Sequence, residues 1–216
     1  MNRILEIQGL RALAALLVVI YHADFIPGGF IGVDIFYVIS GYLITGLILR
    51  EIQSSGGLNL KNFYQRRIKR LLPASVLVLI ITAFISYLIL PPIQRAELGR
   101  NVLAVGLLVS NYAFAFWETD YQNLGANPSA LIHYWSLAVE EQFYIVWPLV
   151  LWLAWKRKFN LLTITMVVAV ISFYLNLRYV NAYPTETFFW PFSRFWELLS
   201  GSILAWLLLY KAELLS

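Results

Sequence analysis

The sequence has no cysteine, two histidines and a charged fraction of only 13% over 216 residues. Without cysteine there is no disulfide framework, no thiolate metal site and no cysteine nucleophile. Two imidazoles are too few for a histidine-rich metal centre, so no metal site is expected. Soluble domains carry roughly 25% charged residues, whereas this chain is 60% hydrophobic and 16% aromatic, with a mean hydropathy of +0.70. A soluble fold of this length could not bury that much apolar surface. The net charge of +4 is small and gathers in short clusters, so no nucleic-acid partner is expected. The solvent that fits this composition is a lipid bilayer.

A bilayer core about 30 Å thick takes roughly 20 apolar residues per helix. Segments of that kind run over 9–25, 30–49, 72–90, 98–117, 136–155, 160–179 and 190–210. The expected fold is therefore all-α: a polytopic transmembrane helix bundle of six to seven membrane segments, forming one domain over 1–216. Trp117, Trp135, Trp155, Tyr179 and Trp190 sit at segment ends, where interfacial aromatics belong. The first segment lacks a convincing cleavage site and reads as a retained helix, not a signal peptide.

Positive charge orients such a bundle. Eleven of the sixteen Lys and Arg fall in four clusters: Arg3; Arg50, Lys61, Arg66, Arg67, Lys69 and Arg70; Lys156 to Lys158; and Lys211. Placing all four in the cytoplasm makes the N-terminus cytoplasmic. Three candidate segments then separate Arg70 from Lys156, yet a return to the same side needs an even number. The segment 98–117 carries Arg100, Asn101, Ser110 and Asn111 after Pro91-Pro92. It is expected to be re-entrant or half-buried on the outer side, with 125–128 as a turn in a long outer loop. In the rival arrangement all seven cross and the Lys156 cluster lies outside.

Ionisable residues inside spans are costly and mark candidate sites. Arg11 and His22 are eleven residues apart, within about 20° of one helical face and roughly 16 Å apart along the axis. Arg11 could equally snorkel to the interface, leaving His22 an ordinary interfacial residue. Asp34, early in the second segment, is expected near His22, or is a carboxylate favoured at a helix start. Glu140, Glu141 and Gln142 interrupt an apolar run. Ser136 with Glu140 suits a helix-start cap, which leaves Glu141 and Gln142 unexplained and favours a functional role. Arg194 and Glu197 form an i,i+3 pair that can neutralise itself. The stretch Phe63–Pro73 reads as a basic loop, either a lipid-headgroup anchor or a phosphate site built from Arg66, Arg67 and Arg70.

Several strings together resemble the integral-membrane acyltransferase-3 family, the O-acetylases of bacterial surface glycans. Glu6-Ile-Gln-Gly-Leu-Arg11, with His22 beyond it, is similar to the family's opening. Gly32-Val-Asp34 through Ser40-Gly41 to Thr45 resembles its second-helix motif, and Phe63-Tyr-Gln-Arg66-Arg67 to Pro73 its basic motif. Tyr134-Trp-Ser-Leu-Ala-Val-Glu-Glu-Gln-Phe-Tyr144 and Arg194-Phe-Trp-Glu197-Leu-Leu-Ser-Gly201 resemble two later motifs. The resemblance implies transfer of an acyl group, acetyl being the expected one, from cytosolic acyl-CoA to a hydroxyl of an extracytoplasmic glycan. It also implies a bacterial inner membrane setting and no permanently bound cofactor. Arg11 and His22 match the family's Arg-x10-His pattern, and Arg66, Arg67 and Arg70 match residues expected at the CoA phosphates. Family members usually have about ten spans, so the chain reads as truncated at its C-terminus.

Ester formation from a thioester needs a base for the hydroxyl and positive charge for the oxyanion. His22 is the expected base, with Arg11 on its face and Asp34 or Glu141 holding its tautomer. Arg66, Arg67, Arg70, Glu140, Arg194 and Glu197 are expected to bind substrate or acyl-CoA, Arg194 also stabilising charge. The competing expectations are a transporter or flippase and a catalytically incomplete fragment.

Overall fold

The structure is a computed structural model that describes residues 5–117 and 129–214. It is all-α, with no strand among the described residues. Nine α-helices follow in order: α1 Leu5–His22, α2 Ile31–Ser55, α3 Leu60–Ile89, α4 Arg95–Gly106, α5 Ser110–Trp117, α6 Tyr134–Lys156, α7 Leu161–Tyr179, α8 Pro184–Phe189 and α9 Pro191–Tyr210. Among the described residues six stretches are long and apolar enough to cross a membrane: α1, α2, α3, α6, α7, and α8 with α9. Arg3 and the expected turn at 125–128 lie outside the described residues.

Two sequence expectations change here. The basic stretch 63–73 is not a loop but the start of α3. Asn59 caps that helix, its Oδ1 accepting from the Asn62 N–H at 3.0 Å. Pro73 lies inside it, removing one backbone donor, but the helix continues through Leu, Val and Ile. Thirty residues at 1.5 Å each make α3 about 45 Å long. That exceeds a bilayer core of about 30 Å, so the basic first turns can be helical and still lie at the interface. Ser136, likewise, is no helix-start cap: α6 already begins at Tyr134, and the Ser136 hydroxyl donates back to the His133 carbonyl at 3.3 Å.

The weak segment 98–117 is two helices, α4 and α5, and neither is among the six spans. The break falls at Leu108, whose φ of 58° is left-handed, a region that costs a non-glycine residue roughly 1–2 kcal/mol. A second break precedes α9. Trp190 is extended (ψ 137°), as expected of a residue before proline, here Pro191.

The chain packs as two compact units. The first comprises Met1–Leu58, Val150–Phe173 and Phe195–Ser216; the second comprises Asn59–Leu149 and Tyr174–Arg194. The first has a core of Ile44, Ile48, Leu49, Leu198 and Leu199. In lipid, helices gain little from burying apolar surface against one another, so close packing of small residues holds them together. This unit has two such seams. A Cβ at Gly29 or Gly32 of the α1–α2 hairpin would overlap the carbonyls of Leu17 or Ala14 in α1. A Cβ at Gly41 of α2 would overlap the Leu198 carbonyl of α9, and one at Gly201 would overlap the Val38 carbonyl in return. Only glycine permits that mutual backbone contact, and the Thr45 hydroxyl locks it by donating to Ser202 Oγ at 2.7 Å.

The second unit is centred on Phe114, Leu131, Trp135, Phe143 and Phe189. Its polar contacts repair the broken backbone. Gln142 Nε2 of α6 donates to the Leu108 carbonyl at 2.7 Å and to Asn111 Oδ1 at 2.9 Å. Asn111 Nδ2 donates in turn to the Phe189 carbonyl at 3.2 Å. Irregular backbone at membrane depth is tolerated only where protein or water satisfies it, and here a side-chain amide does so.

Candidate active site

In the first unit, α1 carries Arg11 and His22 on one unbroken helix, as the spacing implied. Arg11 is half-buried and His22 is exposed at the helix end. His22 Nδ1 lies 2.7 Å from the Val18 carbonyl. A carbonyl can only accept, so Nδ1 carries the proton, and the neutral ring presents Nε2 as its basic nitrogen. A backbone group four residues back thus fixes the tautomer. Tyr21 and His22 also meet edge to face, with ring centroids 5.1 Å apart.

Asp34 lies in the first turn of α2. Gly29 faces Leu17 and Tyr21, and Gly32 faces Ala14 and Val18, so α2 runs antiparallel along α1. Continued by two residues, that register brings Asp34 level with Ala14. This is three residues from Arg11 and eight from His22, or about 5 Å and 12 Å along the axis. Asp34 follows Gly32 by two residues, about 200° further around α2, and is half-buried. A three-residue step between Gly29 and Gly32 was the signal in the sequence that sets this register.

In the second unit, Arg67 of α3 is half-buried between two aromatic rings. Its guanidinium carbon lies 4.9 Å from the Tyr144 ring centroid and 5.9 Å from that of Phe63. Cation–π contacts of this kind stabilise a desolvated guanidinium. The Tyr144 hydroxyl donates to Glu140 Oε1, and Glu140, Glu141 and Arg70 all act electrostatically on Arg67. Arg67 Nη2 is buried with no hydrogen-bond partner among the described residues. Arg66 and Arg70 are exposed. Tyr64 ties α3 to α6 by donating to the Ile145 carbonyl at 2.7 Å. The basic stretch and the Glu-Glu-Gln stretch, 70 residues apart in the sequence, therefore form one cluster.

Arg194, also in this unit, sits in an aromatic cage. Its guanidinium carbon is 5.5 Å from the Phe188 centroid and 5.9 Å from that of Trp135, and those two rings are 4.6 Å apart. Glu197, one turn further along α9, is 3% exposed and belongs to the first unit. Gln142, next to the acidic pair in the sequence, is a backbone clamp through its two donated hydrogen bonds. Tyr144, the platform under Arg67, was missed. Its position four residues after Glu140, one helical turn, was the available signal. Among the described residues no group of His, Asp and Glu is placed to hold a metal ion.

Taken together, the fold and these charges define a polytopic membrane protein with charged and polar clusters built on its helices. The profile of the acyltransferase-3 family, described as an acyltransferase domain, matches residues 4–211, and the chain belongs to that family. It is 39% identical over 207 residues to the peptidoglycan O-acetyltransferase OatA of Listeria monocytogenes, covering 93% of this chain and 33% of that one. A putative O-acetyltransferase of Staphylococcus aureus strain COL is 39% identical over 215 residues, covering 96% and 35%. An O-acetyltransferase OatA of S. aureus strain NCTC 8325 is 38% identical over 207 residues, covering 93% and 34%. The chain spans about a third of the length of these relatives. No solved structure matches it.

Proposed function

We propose that the protein is a membrane O-acyltransferase. It moves an acetyl group from cytosolic acetyl-CoA to a hydroxyl of a glycan on the far side of a bacterial cytoplasmic membrane. Family membership and relatives named O-acetyltransferases support the reaction class. The observation that carries the mechanism is the 2.7 Å contact of His22 Nδ1 with the Val18 carbonyl. With Nδ1 donating to Val18, Nε2 takes the proton of the acceptor hydroxyl as the oxygen attacks the thioester carbonyl. The new C–O bond forms and the C–S bond breaks. The departing CoA thiolate then takes the proton from the imidazolium, which restores the base.

Arg11, some 16 Å from His22 along α1, is too distant to touch the same reacting atoms. It serves the donor's route along the helix face. Arg67, with its buried Nη2, binds a phosphate of CoA, assisted by exposed Arg66 and Arg70, since guanidinium forks match phosphate oxygens. Glu140 and Glu141 hold Arg67 in position, and Arg194 with Glu197 supports bound substrate. With six crossings, the clusters at Arg50–Arg70, Lys156–Lys158 and Lys211 all fall on the cytoplasmic side with the N-terminus. The α4–α5 stretch lies at the outer face.

Incubating membranes that contain the protein with acetyl-labelled acetyl-CoA tests this reading. Base-labile acetyl groups on the glycan fraction support it, and a glycan fraction without label overturns it. The broken α4–α5 stretch gives the transporter reading its one structural argument, because transporters use interrupted helices. Glycan translocation that persists without acetyl-CoA would favour that alternative.

A further inference from the structure

The second unit contains a cleft of about 550 Å³ that none of the expected site residues lines. It opens where the end of α3 meets the start of α4 and the residues preceding α6. Its polar wall is built from Thr82 and Ser86 of α3, Gln94, Glu97 and Asn101 leading into and along α4, and Ser129. These positions are not scattered. Thr82 and Ser86 are four residues apart, and Gln94, Glu97 and Asn101 follow at steps of three and four, so each set makes one helical stripe. Two polar stripes converge in a chain whose α3 otherwise presents Ile, Leu, Val and Phe to its surroundings. Polar groups facing a cavity inside an apolar protein mark a ligand pathway or site.

The walls are fixed in place. Asn101 is buried and donates from Nδ2 to Ser129 Oγ at 2.9 Å. Ser129 Oγ also accepts the Leu131 N–H at 3.2 Å. The Arg95 guanidinium stacks over Tyr87, 4.4 Å from its centroid, pinning α4 to α3. The volume lies within the range of small-ligand sites, on the order of 300–1,000 Å³. Among the described lining residues there is one carboxylate and no cation. That argues against a phosphate or carboxylate ligand, while hydroxyls, amides and a carboxylate with aliphatic neighbours suit sugar hydroxyls. The cleft is also at the correct end. Ser86 lies sixteen residues beyond Arg70, about 24 Å along α3, so the cleft and the donor cluster face opposite sides of a membrane.

We infer that this cleft binds the carbohydrate acceptor, a neutral hydroxyl-bearing glycan segment, with Glu97 and Asn101 as its hydrogen-bonding residues. The inference rests on the acyl-transfer reading for the identity of the ligand. The absence of cysteine permits a direct test. Ala130→Cys places one thiol at the cleft wall, and Ile93→Cys places one nearby at an 88% exposed position outside it. Each is reacted with a maleimide in detergent, with and without an N-acetylglucosamine pentamer. Saturating oligosaccharide is expected to slow labelling of Ala130→Cys several-fold and to leave Ile93→Cys unchanged. In the Ala130→Cys background, Glu97→Gln should raise the protecting concentration roughly tenfold, and Asn101→Ala at least as much. Glu97 is exposed, so its variant tests binding without threatening the fold. No protection of Ala130→Cys, or equal protection with and without Glu97→Gln, overturns the inference. Protection in a protein that transfers no acetyl would uphold the cleft and sink the acyl-transfer reading; acetyl transfer without protection would do the reverse.

Discussion

Replacing Gln142 with leucine keeps the side chain's bulk and removes its two donors. The variant loses the hydrogen bonds to the Leu108 carbonyl at 2.7 Å and to Asn111 Oδ1 at 2.9 Å. An interhelical hydrogen bond in a membrane protein averages about 0.6 kcal/mol and reaches about 1.7. A buried acceptor left without a donor costs about 1–3 kcal/mol. Leu108 is already held in left-handed backbone, which adds roughly 1–2 kcal/mol of strain that these contacts support. The expected destabilisation is about 2–4 kcal/mol, concentrated at the α4–α5 break. Reversible unfolding in mixed micelles measures the total. A double-mutant cycle with Asn111→Leu should return a coupling of about 1 kcal/mol, as contacting residues do. Hydrogen exchange over 107–110 should rise. Gln142→Glu keeps the shape but cannot donate when ionised, so it should resemble the leucine variant. A cost below about 0.5 kcal/mol with unchanged exchange would refute the clamp.

Three further outcomes are expected. Gly41→Ala and Gly201→Ala each press a methyl group against a backbone carbonyl, which no side-chain movement can relieve. Each should cost at least about 2 kcal/mol in the same unfolding assay, whereas Gly46→Ala, with only the Ala205 methyl at 3.8 Å, should be near neutral. Arg67→Lys removes the fork and the planar stack between Phe63 and Tyr144. It should raise the acetyl-CoA KM by about tenfold with kcat within about twofold; unchanged KM would remove Arg67 from the donor site. For topology, Ile93→Cys should react with an impermeant maleimide in intact cells and Lys156→Cys should not. The opposite pattern would invert the orientation.

The spans were legible because twenty apolar residues in a row carry their own signal, and Arg11 with His22 because eleven residues make nearly three whole turns. That 98–117 departs from one long apolar helix was legible from Arg100, Asn101 and the proline pair. The way its break is held was not, since nothing local to Leu108 says that an amide 34 residues later will satisfy its carbonyl. The basic stretch was misread as a loop because Pro73 and its charges outweighed the Asn59 cap. The motifs that pointed to the family proved to be pairs: Ser40-Gly41 clasps Leu198 to Ser202, and Phe63 to Arg67 docks on Tyr144. Such pairings are long-range contacts, and helical periodicity within one segment cannot reveal them.

His22, with Nδ1 held by the Val18 carbonyl, is the proposed base for acetyl transfer. The decisive measurement is the rate of acetyl transfer from labelled acetyl-CoA to glycan in membranes holding equal amounts of wild-type and His22→Ala protein. General bases contribute about 10²–10⁴-fold, so a loss of at least about 100-fold is expected, with unaltered protein level and thermal stability. Transfer by His22→Ala at the wild-type rate would contradict it.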